Sequence, residues 1–195
     1  MRVLELLRLR PQVIAGLLPR VYPEMLRTAY AHQDAGRPVF IVTAASQQVA
    51  ELLAHVLVLD GGIGTVYEER DGVYTGALVG PATYGEGKAE ALRRLASDSG
   101  IDLRVSYAYS DSESDLPMLR AVGHPVVVNP DRALELVARS DGWQIMRFDK
   151  LARRLHMAAG VAAAAAATAA VGGGGGYVAG RLRAEPSRAR RLLRR

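Results

Sequence analysis

The chain has 195 residues, of which 49% are hydrophobic, so it can hold one domain of ordinary size with additional segments. It has no cysteine, which excludes disulfides and thiolate metal sites. The net charge is +5, but residues 181–195 contribute seven Arg and one Glu, which leaves −1 for the rest. Because only the tail is basic, nucleic-acid binding by the globular part is not predicted.

The N-terminal part is predicted to be helical. Apolar residues recur at helical spacing over residues 3–18, with an interruption at Pro11. A second helix begins at Pro23 and ends before Gly36, a residue suited to a helix C-terminus. The side chains expected to point inward are those of Met25, Leu26, Ala29 and Tyr30.

Strands alternate with helices in the central part of the chain. Residues 39–42 are a continuous apolar run typical of a buried strand, and a helix is predicted from Gln47 to about Leu57. Residues 61–64 are rich in Gly and predict a turn, and Asp71-Gly72 predicts a hairpin. Further strands are expected at residues 105–109, 126–128 and 143–148, with Asp131 as a helix N-cap. This alternation predicts a doubly wound α/β fold with a parallel sheet.

Lys88 is predicted in the first turn of a helix that follows Gly85-Glu-Gly87. The helix dipole disfavours a cation at that end. An anion bound at the helix N-terminus would explain the lysine, and a solvated surface lysine is the alternative.

Three carboxylates follow the strand that ends near Tyr109, namely Asp111, Glu113 and Asp115. The carboxyl ends of strands in open α/β sheets are where ligands bind, and clustered carboxylates suit Mg²⁺. The alternative is a solvated loop that caps the next helix through Ser114 or Asp115.

In this order, residues 39–43, 85–88 and 109–115 resemble motifs two, three and four of the haloacid dehalogenase (HAD) superfamily. The residues within and around these motifs are similar to those of the family's phosphoserine-phosphatase-like branch, subfamily IB. The resemblance extends over roughly residues 22–148. It implies a Rossmann-like parallel sheet and three parts. These are a remnant of a helical cap (1–35), a hydrolase core (36–150) and an Ala/Gly-rich segment with an Arg-rich tail (151–195).

The resemblance also implies the chemistry. Members of the family hydrolyse small phosphomonoesters through an aspartyl-phosphate, with Mg²⁺ as cofactor. Thr43, Ala44 and Lys88 would bind the phosphoryl group. Asp111 and Asp115 would hold the metal, and Thr43, Lys88, Asp111 and Asp115 would form the catalytic set.

One motif of the family has no counterpart in this sequence. The family's first motif is a strand ending in Asp-x-Asp-x-Thr, which supplies the nucleophile and lies between the strands of motifs two and four. No Asp-x-Asp precedes Thr43. The resemblance therefore predicts a sheet without its central strand and an activity that depends on an upstream segment. The alternative is a non-catalytic remnant that binds an anion or Mg²⁺, or acts as a membrane-tethered interaction module. A smaller departure is Ser110, where the family usually has Gly.

Residues 157–180 carry no charge and are long enough to span a bilayer, but eleven of them are Ala and seven are Gly. A marginal transmembrane helix, a flexible linker and an amphipathic surface element all fit this composition. We expect a cytoplasmic protein that associates weakly with the inner face of the cell membrane through residues 157–195. The sequence does not determine the oligomeric state.

Overall fold

Helices and strands alternate along residues 2–148, the part of the chain that the computed structural model describes. In chain order they are α1 (Val3–Arg8), α2 (Arg10–Leu17), α3 (Pro23–Asp34), β1 (Phe40–Ser46), α4 (Gln47–Val56), β2 (Gly61–Thr65), β3 (Tyr67–Arg70), β4 (Val73–Leu78), α5 (Glu86–Ser99), β5 (Tyr107–Ser110), α6 (Leu116–Arg120), β6 (His124–Val128), α7 (Arg132–Ser140) and β7 (Gln144–Met146). The predicted α/β class is confirmed.

None of the helices in this part of the chain is long and apolar enough to cross a membrane. The segment predicted to associate with a membrane, residues 157–195, lies outside the described residues.

The parallel strands form two separate sheets. Strand β1 pairs with β2, and β5, β6 and β7 pair in that order, with parallel neighbours throughout. Strands β3 and β4 form an antiparallel hairpin. The main hydrophobic core lies on the β5–β6–β7 sheet, and its buried residues are Ala108, Met118, Leu119, Val127, Leu134 and Ala138.

A cleft separates β1 from β5, and within residues 2–148 no strand lies between them. The cavity there has a volume of about 420 Å³ and is lined by both strands and by α5. We call it the β1–β5 cleft. The sequence predicts a fully buried β1, but its residues are only half-buried or exposed. The open edge beside the cleft explains this difference, because a strand in the middle of a sheet would be covered on both sides.

The Gly-rich stretch at residues 61–64 is strand β2, so the prediction of a turn there is wrong. Two of its glycines are required by close packing, Gly62 against helix α4 and Gly64 against the point where β1 meets α4. A Cβ atom on Gly62 would overlap the backbone carbonyl of Ala50, and one on Gly64 would lie 2.7 Å from the carbonyl oxygens of Ala45 and Ser46. Glycine here permits close contact between helix and strand. In a sequence, glycines with this role cannot be distinguished from the glycines of a turn.

Two smaller predictions also fail. Val105 belongs to a 3₁₀ turn and is 63% exposed, so β5 begins later than predicted. Tyr30 is 38% exposed instead of pointing inward, and its hydroxyl donates a hydrogen bond to the carbonyl of Leu57. The predicted hairpin is confirmed, with Asp71 and Gly72 at φ values of 50° and 74°.

Candidate active site

Lys88 and Asp115 form an ion pair that is largely removed from water. The Lys88 ammonium nitrogen lies 2.7 Å from Oδ1 and 2.8 Å from Oδ2 of Asp115. The two side chains are only 13% and 9% exposed. Lys88 is therefore not a solvated surface lysine. Its partner among the described residues is a carboxylate, whereas the sequence analysis considered a bound anion.

The start of α5 places Lys88 there. Gly85 has φ +54°, a conformation that residues with a Cβ rarely adopt. A Cβ on Gly87 would overlap the carbonyl oxygen of Ala82. Both glycines of the Gly85-Glu-Gly87 loop are thus required by the backbone that leads into the helix.

Ser110 is a partner of Asp115 that the sequence analysis missed. The buried Ser110 hydroxyl donates to Asp115 Oδ2 at 2.7 Å and accepts from the Ser112 backbone N–H at 3.2 Å. Asp115 occupies the N-cap position of α6, as the alternative predicts, but its side chain makes no capping hydrogen bond to the helix and contacts Lys88 and Ser110 instead. Its Oδ1 atom is buried and, apart from the ammonium contact, has no hydrogen-bond partner.

Asp131 fixes the acidic loop from the other side. Its carboxylate accepts from the backbone N–H of Leu134 at 2.8 Å, which confirms the predicted N-cap of α7. It also accepts from the N–H of Glu113 at 3.0 Å. These bonds, the one from Leu134 first, lower the pKa of Asp131. The Asp131 backbone N–H donates to the carbonyl of Asp111 at 3.0 Å, so Asp111 is held through its main chain and its side chain is exposed.

Thr43 lies within β1, because the strand continues to Ser46 beyond the predicted end. Its hydroxyl oxygen accepts from the Ala45 backbone N–H at 3.2 Å. Buried Thr65 connects this stretch to the approach to α5. Its hydroxyl donates to the Ala44 carbonyl at 3.1 Å and accepts from the Thr83 N–H at 3.1 Å.

Replacing Thr65 with valine should therefore weaken both the fold and the site. The methyl group keeps the shape but leaves the buried Thr83 N–H without a partner, which costs about 1–3 kcal/mol. Urea titration should show this loss. Thr75→Val is the matched control, because the Thr75 hydroxyl bonds the Glu68 carboxylate on the exposed hairpin. Equal effects of the two changes would contradict the bridging role of Thr65.

The structure brings together some of the predicted site residues. Lys88 and Asp115 are in contact, whereas the Thr43 and Asp111 side chains make no hydrogen bond or ion pair with either of them in the described part of the chain. Within residues 2–148 no group of three His, Cys, Asp or Glu residues is placed to hold a metal ion. The exposed carboxylate of Asp111 and the carboxylate of Asp115 are nevertheless oxygen ligands of the kind that Mg²⁺ takes, because this ion keeps several waters and needs one or two carboxylates.

A second polar cluster joins α3 to β5. Arg37 Nε donates to His32 Nδ1 at 2.8 Å, and His32 Nε2 lies 2.8 Å from the Tyr109 hydroxyl. The His32 ring also packs on Tyr107, with 4.8 Å between the ring centroids. Burial, and then the Arg37 charge, lower the pKa of His32. The interpretation of the histidines as packing or surface residues holds for His32.

Thermal stability should fall as the pH decreases below about 6.5, the ordinary pKa of histidine. The folded state favours neutral His32, so its contribution is complete above that pH and is lost as the pH falls through the lowered folded pKa. His32→Gln should flatten the dependence of Tm on pH. His55→Gln, at an exposed position of α4, should leave the profile unchanged. An identical profile in His32→Gln and the parent chain would contradict the assignment.

Comparison with known proteins decides the family. A model of haloacid dehalogenase-like hydrolases matches residues 4–120. The chain belongs to this family. The HAD resemblance of the three motifs is thereby confirmed, and the parallel sheets agree with the fold that it implies.

Relatives within the family include named phosphatases. The chain is 46% identical over 123 residues to a phosphoserine phosphatase of Mycobacterium tuberculosis, which covers 63% of this chain and 40% of that protein. It is 34% identical over 136 residues to a histidinol-phosphatase of Neisseria meningitidis, covering 68% and 61%. A solved structure of a Bordetella pertussis protein of unknown function superimposes with a TM-score of 0.69 at 30% identity, covering 75% and 67%. The chain thus spans less than half of the mycobacterial relative.

Proposed function

We propose that this chain carries the phosphate- and metal-binding part of a HAD-type phosphatase for a small phosphomonoester. The observation that carries the proposal is the buried Lys88–Asp115 ion pair, held by Ser110 at the carboxyl end of β5. An ammonium fixed beside a helix N-terminus is suited to a phosphoryl group. The names of the mycobacterial and neisserial relatives support the same reaction class.

Each predicted site residue has a role in this proposal. Lys88 binds a phosphoryl oxygen, and Thr43 and Ala44 bind another from the carboxyl-terminal half of β1. Asp111 would contact Mg²⁺ with its exposed carboxylate, and Asp115 would position Lys88 and contribute a carboxylate oxygen to the metal site. When bound, Mg²⁺ would neutralise negative charge on the phosphoryl group.

The remaining assignments follow the same proposal. Residues 1–35 would be the remnant of the cap, residues 36–150 the core and residues 151–195 a tail.

Weak binding of residues 157–195 to the cytoplasmic face of a membrane would be electrostatic. Binding of the full chain to anionic vesicles should then fall steeply as salt rises, and truncation after Leu151 should abolish it. Equal binding at low and high salt would contradict that mechanism.

The test of the proposal separates binding from turnover. The 195-residue chain with Mg²⁺ should bind orthophosphate saturably in equilibrium dialysis, yet hydrolyse p-nitrophenyl phosphate no faster than buffer, because it contains no Asp-x-Asp motif. Lys88→Met/Asp115→Asn, which removes both charges together, should abolish phosphate binding. Lys150→Met, which changes the only other lysine, is the matched control.

Two results would contradict the proposal. Phosphate binding that survives in the double variant would place the anion site elsewhere. Rapid turnover that Asp111→Asn abolishes would show that the nucleophile has been misassigned. The alternative of a non-catalytic remnant is distinguished by the coding sequence upstream of Met1, since an in-frame Asp-x-Asp motif there would favour the phosphatase.

A further inference from the structure

Three arginines and a leucine form an exposed surface on α7 and beside β7. Leu136 is 63% exposed, more than any other leucine whose side chain the structure describes. Arg132 and Arg139 are its neighbours one helical turn away in each direction, because residues three and four apart lie side by side on a helix. Arg147, directly after β7, completes the surface. We call these four residues the α7 face.

One carboxylate holds two of these guanidinium groups next to each other. Glu135 Oε1 accepts from Arg139 Nε at 3.0 Å and from Arg139 Nη2 at 2.7 Å, and Glu135 Oε2 lies 2.6 Å from Arg147 Nη2. The hydrogen bonds from Arg147, and then from Arg139, lower the pKa of Glu135. The two arginine side chains are 64% and 55% exposed. Since a guanidinium has five N–H donors, those that Glu135 does not use can bind an anion from solvent.

The basic character of the α7 face is local. Residues 149–195 contain ten basic and two acidic residues, a net charge of +8, which leaves −3 for residues 1–148 from the total of +5. The α7 face nevertheless presents three arginines beside a single glutamate. The described part of the chain ends at Phe148, directly after Arg147, so the basic sequence that follows begins next to this face.

We propose that the α7 face is a docking surface for a bilayer of anionic lipids, with its arginines at the lipid phosphates and Leu136 between the headgroups. Apolar burial and electrostatic attraction together determine how strongly a protein surface binds such a bilayer. A nucleic acid would contact the arginines but not require the exposed leucine, and the four residues include no aromatic ring to stack on a base. This contact belongs to the folded domain, in addition to the tail binding proposed above, and does not depend on the phosphatase role.

Charge-removing variants test the location of the contact. The full 195-residue chain should sediment with vesicles of phosphatidylcholine and phosphatidylglycerol at about 0.1 M salt, where charges more than about 10 Å from the lipid are screened. Arg139→Gln/Arg147→Gln should weaken binding about tenfold or more. Arg93→Gln/Arg94→Gln removes the same charge from exposed positions of α5 and should have little effect. Equal losses in the two double variants would show a response to net charge alone and overturn the proposal.

A dye at position 136 tests whether the leucine enters the bilayer. The chain has no cysteine, so Leu136→Cys can be labelled at a single site with the environment-sensitive dye NBD. Vesicles should shift the dye's emission to shorter wavelength and raise its intensity. Val58→Cys, at a 71% exposed position after α4, is the matched control and should not respond. If the protein sediments with vesicles while the dye at position 136 does not respond, the tail binds alone and the proposal is overturned.

The same labelled protein distinguishes a membrane from a nucleic acid. Duplex DNA should leave the emission of the dye at position 136 unchanged. A DNA-induced shift that Arg139→Gln/Arg147→Gln removes would identify a nucleic acid as the partner and overturn the proposal, as would failure of the full chain to bind vesicles.

The phosphate site is tested separately from the α7 face. Lys88→Met/Asp115→Asn should bind vesicles as the parent chain does, because neither residue belongs to the face. Loss of phosphate binding in that variant would leave the lipid contact standing. Absence of the lipid contact would leave the proposed phosphatase role standing.

Discussion

Replacing Lys88 with methionine should lower the free energy of unfolding by about 3–5 kcal/mol, because it leaves the buried Asp115 carboxylate without its cation. Methionine retains an unbranched apolar stem, so the change removes mainly the charge. The Ser110 hydroxyl would be the one remaining hydrogen-bond donor to that carboxylate among the described residues. Urea titration at pH 7 would measure the loss as a lower midpoint with an unchanged slope.

The double variant Lys88→Met/Asp115→Asn should recover most of the lost stability, since asparagine is neutral and still accepts from Ser110. Arg93→Met is the matched control on the same helix. Arg93 pairs with Glu86 at 2.9 Å, but both side chains are more than half exposed. Exposed pairs contribute about 0–1 kcal/mol. Equal losses in Lys88→Met and Arg93→Met would show that the Lys88–Asp115 pair is not buried in solution.

Replacing Gly62 with alanine should cost about 3 kcal/mol or more, the upper range for overpacking. The new Cβ would overlap the carbonyl group of Ala50 in α4, and backbone atoms cannot rotate away as a side chain can. The helix would have to move off the β1–β2 sheet. Chemical denaturation and near-ultraviolet circular dichroism would report the lost stability and the altered packing.

Gly16→Ala is the control for this substitution. Gly16 lies within α2, and a Cβ there would meet no atom within 4 Å. Glycine in a helix interior is less favourable than alanine by about 0.5–1 kcal/mol, so this variant should be slightly more stable. Destabilisation by both substitutions to a similar degree would contradict the packing explanation for Gly62.

The sequence predicts most of the local structure because its signals are local. Asp71-Gly72 specifies the hairpin through backbone conformation, and Asp131 identifies a helix N-terminus through one short hydrogen bond. These features need no knowledge of distant residues.

The missed features depend on contacts between distant parts of the chain. Gly62 has to be glycine because α4 lies against it, and the sequence carries no sign of that close approach. Thr65 reaches Ala44 and Thr83, which are 21 and 18 positions away. The contact between Ser110 and Asp115 could have been found in the sequence more easily than these. Ser110 stands where the family usually has glycine, five residues before Asp115, and its hydroxyl can donate to the Asp115 carboxylate.

The division of the parallel strands into two sheets has a consequence for cooperativity. The β1–α4–β2 unit and the β5–β6–β7 sheet are joined by no strand pairing within residues 2–148, so each can open while the other stays folded. Amide hydrogen exchange should then show two groups of protected amides with different opening free energies.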